Sequence, residues 1–357
     1  MSKKVAIIIS PNYKDYAKKY LADCINSIRK QDYKDEIKVF ITDNKTSKES
    51  YVLLKKIAPE AKIHRNKHND GFAKGCNDSI KKALKQGFDY LSIVNIHTTL
   101  KPDYISELVK VAENSDNIGA VQGLMLLDPE KNKINSLGND THFLGFGYCR
   151  GYKDQITNYL SAQAGKLQIT NIFYPSGSSF LIKRKVLEKV GLFDEEFWMY
   201  NEDQDLGWRV WLAGFKCVLA SQAVLYNKYE FARSIQKYYW MDRNRIIVMI
   251  KNYHWLTLLL ITPACLVMEI GLILFSLKTG WFREKVKVWR YFLTPFKWRY
   301  LYQARKKTQR LRKVKDKDIV KMIVGKIWYQ EIDDAKLRLV NPVFNLYWQI
   351  IKRLVIW

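Results

Sequence analysis

The chain has 357 residues, room for one large domain or two, and 48% of them are hydrophobic, enough for a sizeable core. Its formal net charge is +25, and residues 278–357 hold 21 Lys and Arg against 6 Asp and Glu, so +15 of the charge lies in that tail. No nucleic-acid motif accompanies the charge, which begins just beyond a long apolar stretch; the placement points to an anionic membrane surface rather than to nucleic acid.

The five cysteines (Cys24, Cys76, Cys149, Cys217 and Cys265) are scattered with no CxxC spacing. That argues against a zinc site or a disulfide framework and fits a reducing compartment. Lys3-Lys4 followed by Val5–Ser10 has the look of a leader segment. The apolar run is short and stops at Pro11, so a buried first strand is expected instead.

Val5–Ser10 is a continuous apolar run, the kind buried on both faces of a parallel sheet. A helix is expected over 16–30, with Tyr20, Leu21, Cys24, Ile25 and Ile28 on one face. Strands are expected over 36–42, 61–65, 90–94 and 118–124, and helices over 47–57, from about 71 to 84, and over 102–113. This alternation predicts an α/β fold with a largely parallel sheet, in which ligands bind beyond the carboxyl ends of the strands. Asp43, Asn69–Gly75 and His97 fall at such ends. Residues 126–174 change character, with more glycine and aromatics and weak periodicity, and predict loops and short strands. A strand over 180–183 and a short helix over 185–190 follow, then strand-like runs over 215–220 and 223–226.

Between them lies Phe197–Gly214, where three carboxylates stand between an aromatic run and a helical pattern. Leu206, Val210 and Ala213 recur at helix spacing, and Gly214 can stop the helix. Asp205 and Arg209 are one turn apart and can pair in a structural or acceptor-side role. Glu202 and Asp203 fall at the loop-to-helix junction. A carboxylate there is expected to be kept ionised by the helix field, which suits a general base taking a proton from a hydroxyl. Plain helix capping is the competing use.

The last third is aromatic and basic over 231–252, then almost wholly apolar over 255–277, interrupted by Pro263 and Glu269. The length suffices to span a bilayer, while the proline, the glutamate and Gly271 also fit an interfacial helix. The basic cluster from Arg305 to Lys317 favours the cytoplasmic face. The expected division is a domain over 1–250, split into halves at 125/126, and a helical, membrane-associated region over 251–357.

Val5–Tyr13, Thr42-Asp43-Asn44, Asn69–Asn77, Gly177–Phe180 and Tyr200–Leu206 occur in that order. Together they resemble a family 2 glycosyltransferase with the GT-A fold, closest to the rhamnosyltransferase-like enzymes that build cell-surface polysaccharides. The likeness covers about the first 250 residues. It implies an inverting transfer from a nucleoside-diphosphate sugar to a glycan or glycolipid acceptor. Asp203 takes the role of base, with Glu202 in support. The resemblance implies nucleotide-sugar contacts at Pro11, Asn12, Asp43, Asn44, Gly71, Phe72, Lys74, Gly75, Asn77, Asn95 and His97. Gly71 and Gly75 are expected to let backbone approach phosphate at a helix start.

Two departures from the family pattern stand out. The family's Asp-x-Asp-type metal motif reads Asn95-Ile96-His97 here, and Tyr226-Asn227-Lys228 stands where a further histidine is usual. Swapping a carboxylate for imidazole weakens a Mg²⁺ site, and Mn²⁺ accepts imidazole better. Three alternatives remain open. His97 holds a divalent cation; or Lys74, Lys228 or Arg233 stabilises the departing diphosphate without one; or the chain is an inactive nucleotide-sugar-binding or membrane scaffold protein on this fold. The Glu202-Asp203 pair speaks against the last, since a poised base is of little use without chemistry. No G-x-G-x-x-G follows the first strand, so a dehydrogenase reading is poor.

Overall fold

The computed structural model describes residues 3–162, 169–228, 235–327 and 335–357. The chain divides into two compact units. Met1–Asn139, Cys149–Val210 and Phe215–Glu230 form the first; Asp140–Tyr148, Trp211–Gly214 and Phe231–Trp357 form the second. Within the second, the helix Ile235–Asn252 packs with the helices that follow it.

In the first unit, β1 (Val5–Asn12) pairs in parallel with β2 (Ile37–Asp43), and β2 with β3 (Lys62–Arg65). On its other side β1 pairs in parallel with β4 (Tyr90–Val94), with Val5 opposite Tyr90 and Ile9 opposite Val94. All eight residues of β1 and all five of β4 are buried, as an apolar run covered by helices on both faces requires. Beyond β4, and separated from it by one short strand, lie two long strands. They are β6 (Ile118–Leu127), with the short β5 (Thr98–Leu100) before it in the chain, and β12 (Lys216–Asn227). The short strands β7 (Ile134–Ser136), β8 (Asn139–Thr141), β9 (Gly147–Cys149), β10 (Ile169–Asn171) and β11 (Ser179–Lys183) fill the stretch between. The sheet runs β10-β12-β6-β11-β4-β1-β2-β3, with β5 added on β12 and β7 on β6. β11 is antiparallel to both neighbours, so the first half is parallel and the second mixed. The two runs expected over 215–220 and 223–226 are one strand, kept continuous by a register shift between Ala220 and Val224.

Helices cover the sheet: α1 (Ala22–Arg29), entered through a π turn at Ala17–Leu21, α2 (Lys48–Ile57), α3 (Gly71–Lys85) and α4 (Tyr104–Glu113). Ser47 starts α2, its Oγ accepting from the Ser50 N–H at 3.1 Å. The small helices α5 (Ile156–Ala162) and α6 (Arg184–Val190) precede α7 (Glu202–Leu212).

The second unit is helical: α8 (Ile235–Asn252), α9 (Trp255–Thr279), α10 (Phe282–Leu293), α11 (Pro295–Arg310), α12 (Asp316–Ile319) and α13 (Ala335–Leu354). α9 passes through Pro263 without a break. Phe143 stacks on Trp348 at 4.9 Å. His142 is fully buried beside them, its Nδ1 accepting from the Leu144 N–H at 3.2 Å and its Nε2 facing the Gly325 carbonyl at 3.3 Å. Burial pushes this imidazole down to about 3, so it is neutral.

Candidate active site

The loops after β1, β2 and β4 meet at one end of the sheet, where the sequence places most of the candidate residues. Asp43, the last residue of β2, is fully buried and closed in by its own neighbours. Its Oδ1 accepts from Asn12 Nδ2 at 2.9 Å and from Thr46 Oγ1 at 2.5 Å, and its Oδ2 lies 3.2 Å from Arg65 Nε. The carboxylate expected to face the nucleotide thus has no exposure here, and its lone pairs are engaged by protein donors. Asn12 and Asn44 are equally committed. Asn44 Nδ2 donates to the Gly71 carbonyl at 2.9 Å, and its Oδ1 accepts from Asn66 at 3.0 Å.

The glycines and Asn77 also serve packing. Gly71 has φ +77°, and a Cβ there would lie 2.5 Å from the Trp198 carbonyl oxygen. That carbonyl accepts from the N–H groups of Phe72 (2.7 Å) and Ala73 (3.2 Å). The first donors of α3 are thus taken by the loop before α7. Gly75 is needed because a Cβ would come within 2.3 Å of Pro11 Cγ. Asn77 clamps the chain at Phe193, accepting from its N–H at 3.2 Å and donating to its carbonyl at 2.9 Å. Lys74 is held between Asp78 (2.9 Å) and Asp70 (3.3 Å) and is more than a third exposed.

Asn95 is half-buried. Its N–H donates to the Ser178 carbonyl at 2.7 Å, and its Oδ1 accepts from Ser10 Oγ at 2.6 Å. His97 is buried, with Nδ1 2.8 Å from Asn227 Oδ1, while Asn227 Nδ2 donates to Asn135 at 3.0 Å. That line fixes the proton on Nδ1. The Tyr16 and Tyr20 rings lie at 6.5 and 6.0 Å. Burial pushes His97 down to about 4. A divalent cation implied by the fold would need oxygen donors here, and the imidazole is instead tied to a neutral amide. Among the described residues no group of three His, Cys, Asp or Glu side chains is arranged to hold a metal ion. The residues present do not fit the usual divalent site. Lys228 follows, its N–H donating to the His97 carbonyl at 3.0 Å and its ammonium paired with Asp23. Arg233 lies outside the described residues.

The carboxylate pair opens α7. Trp198, Tyr200 and Asn201 all have positive φ (+59°, +70° and +65°), a strained approach that sets the angle of the first turn. Asp203 is partly exposed, and both its oxygens are held. Oδ2 accepts from the Gly177 N–H at 2.8 Å, and Oδ1 from the Gln204 N–H at 2.8 Å. Gly177 precedes Ser178, whose carbonyl holds Asn95, so the base candidate and the Asn95–His97 segment are tied to the same short loop. The Phe72 ring would meet a Cβ on Gly177 at 3.4 Å, placing it beside Asp203. Glu202 is buried, and its Oε2 has no hydrogen-bond partner among the described residues. Burial pushes Glu202 well above the carboxylate range, and the adjacent Asp203 charge adds to the rise. Burial also raises Asp203, against the pull of the Gly177 and Gln204 N–H groups. At both carboxyls desolvation is the larger influence, ahead of the backbone N–H groups. Asp205 and Arg209 do pair, at 2.9 Å and buried, and Arg209 also binds the Val190 and Leu192 carbonyls. The pair is structural, locking the turn after α6 to α7.

Gly177 and Trp198, both central to this arrangement, were not among the expected site residues. The small-residue run Pro175–Ser179 carried a signal for the first; nothing in the sequence signalled the Trp198 carbonyl.

The family model for glycosyl transferase family 2 matches residues 7–191, over half of the chain. The chain belongs to this family. Its fold is GT-A, as in two solved structures. One is Staphylococcus aureus TarS 1–349 in complex with UDP, at 15% identity and TM-score 0.51, covering 98% of this chain and 90% of that one. The other is GalNAc-T7 with UDP, GalNAc and Mn²⁺, at 14% identity and TM-score 0.53, covering 70% of this chain. The match spans about half the length of GalNAc-T7, 48%. Identities this low speak for the fold alone. No curated protein matches the chain.

Proposed function

We propose that the chain is an inverting transferase that moves a sugar from a nucleoside diphosphate onto a hydroxyl of a polysaccharide or lipid-linked acceptor. It works at the cytoplasmic face of a membrane, with Asp203 as general base. The observation that carries this reading is the placement of Asp203. It is partly open, clamped at both oxygens by backbone N–H groups and raised by burial, beside the loop that follows β4. A base is best when its pKa approaches the working pH, and burial moves Asp203 in that direction. Asp203 takes the acceptor proton, the acceptor oxygen bonds to the anomeric carbon, and the bond from that carbon to the diphosphate oxygen breaks. Glu202, raised further and next door, carries a proton and leaves the negative charge to Asp203.

Because the His97 surroundings do not fit a divalent ion, no step is routed through one. Lys228 and Lys74 are cations near the strand ends that can meet the leaving diphosphate once their carboxylate partners yield. The test is thermal stabilisation by a panel of sugar nucleotides, including uridine, guanosine and thymidine donors, each with EDTA and with Mn²⁺. At least one donor raises the melting temperature, and EDTA leaves that rise intact. No stabilisation by any donor contradicts the reading, and a rise that appears only with Mn²⁺ contradicts its metal-independent part.

A further inference from the structure

The second unit carries an apolar face that its own packing does not cover. On α9, Trp255, Leu259, Leu266, Ile270, Leu274 and Leu277 are each more than half exposed. They recur at one or two helical turns, so they form one stripe about 33 Å long. Thr257, Ile261, Ala264 and Ser276 point the other way and are buried. Beside it, α13 presents a second stripe of Val343, Leu346, Ile350 and Leu354, each 52–68% exposed, while Phe344, Trp348, Ile351 and Val355 are buried. The Tyr347 hydroxyl donates to the Leu260 carbonyl, and the Trp357 indole to Thr257 Oγ1 at 2.9 Å, which fixes α13 alongside α9.

Length and composition alone would let α9 cross a bilayer. Its midpoint forbids that. Glu269 Oε1 lies 2.7 Å from Lys285 Nζ and 2.7 Å from Trp289 Nε1, both on α10. Lys285 in turn binds Asp242 of α8 at 2.7 Å, and Asp242 binds Arg245 at 2.7 Å. A spanning α9 would carry this whole network to mid-bilayer. It would take with it Arg283, Lys287 and Arg290, which α10 exposes. Exposed cations at that depth are strongly disfavoured, and among the described residues only Lys287 of the three has a carboxylate beside it, Glu284 at 2.7 Å.

We propose that α9 and α13 lie side by side in the plane of one leaflet, their apolar stripes sunk into the acyl boundary of an anionic membrane, with no segment of α9 crossing it. Charge selects the occupant. Exposed Lys278, Arg283, Lys287 and Arg290 follow directly on the stripe, Arg353 flanks the second, and residues 278–357 carry +15. Anionic headgroups complement that charge, whereas a second copy bearing +25 would be repelled. The inference rests on the membrane reading of the tail and is independent of the transfer chemistry.

The test is flotation of the full chain with phosphatidylcholine vesicles, with and without phosphatidylglycerol. Binding is expected with the anionic vesicles, falling about tenfold on neutral ones and in high salt. Leu266→Asp with Ile270→Asp, and separately Leu346→Asp with Ile350→Asp, each lower binding by about tenfold or more, with circular dichroism and donor stabilisation unchanged. Serine at the same positions replaces aspartate wherever the latter disturbs folding. Orientation is read with Lys315→Cys, exposed next to the Asp316 that holds the His254 N–H at the start of α9, and with Thr279→Cys at its end, in a chain carrying Cys149→Ala and Cys265→Ala, the other three cysteines being buried. On sealed vesicles both ends react with a membrane-impermeant maleimide. Protection of one end means a spanning helix and overturns the proposal. So does wild-type binding by both double variants, and so does self-association without vesicle binding. Loss of vesicle binding with donor stabilisation intact would sink this inference and leave the transferase reading standing.

Discussion

Around the candidate site the first unit buries polar groups mainly among neutral partners, the Asp205–Arg209 ion pair aside, while the second gathers full charges between its helices. In the first, Asp43 sits among Asn12, Thr46 and Arg65, and His97 among Asn227 and Asn135; apart from Arg65 the partners are neutral and local to strand ends. In the second, Asp242, Arg245, Glu269 and Lys285 are full charges drawn from three helices. Neutral networks hold loops in one geometry around a site while adding little field of their own. Charged networks pin an otherwise featureless apolar helix, because a buried charge without its partner is intolerable. The first arrangement positions chemistry and the second positions a surface.

The largest effect that would break this contrast is expected at Lys285, which is fully buried between two carboxylates. Lys285→Met should destabilise the chain by about 3–5 kcal/mol in chemical denaturation, since Asp242 loses half of its compensation. Burial alone would raise Asp242, and Arg245 and Lys285 together outweigh it. A loss below about 1 kcal/mol would mean that the network is ornamental.

Acid comes next. His142 is neutral when folded, with its folded value near 3 against an ordinary value of 6.5. Unfolded chains take up that proton first, so its contribution to stability is complete above pH 6.5 and is lost as the pH falls from there towards 3. Protonation would also turn Nδ1 into a donor facing the Leu144 N–H. His142→Gln should flatten the acid limb of a melting-temperature profile between pH 6.5 and 4. An unchanged limb would assign acid lability elsewhere.

A smaller effect separates packing from binding at Asp43. Asp43→Ala should cost about 1–3 kcal/mol of stability, because it strands buried partners. Loss of donor binding at unchanged stability would instead support the ligand role that the family resemblance implies.

The smallest effect is at Glu202, and its sign is informative. A carboxyl raised on folding opposes stability as the pH climbs above its unfolded value. Glu202→Gln should therefore raise the melting temperature slightly at pH 8 and leave it nearly unchanged at pH 4. A drop at pH 8 would show that Glu202 is ionised in the folded chain.

Much of the first unit was legible because strong patterns met strong physics. Val5–Ser10 and Tyr90–Val94 could hardly be anything but central strands, and the Asp205–Arg209 spacing foretold a pair that forms. The closure of Asp43 was not legible, since its partners come from the end of β1, the turn before α2 and the end of β3. The Gly177 contact that fixes Asp203 spans 26 residues, and the Trp198 carbonyl that caps α3 depends on three left-handed residues with no glycine to announce them. In the tail, sheer charge density hid the faces of α10, α11 and α13. Only packing showed which apolar residues of α9 and α13 are left outside.

The central claim is that Asp203 removes the acceptor's proton. The direct measurement is sugar transfer by Asp203→Asn beside calorimetric donor binding on the same preparation. The account expects turnover to fall by about 10²–10⁴-fold with donor affinity within about threefold of the parent chain. Parental turnover in the variant, or an equal loss of donor affinity, would contradict it.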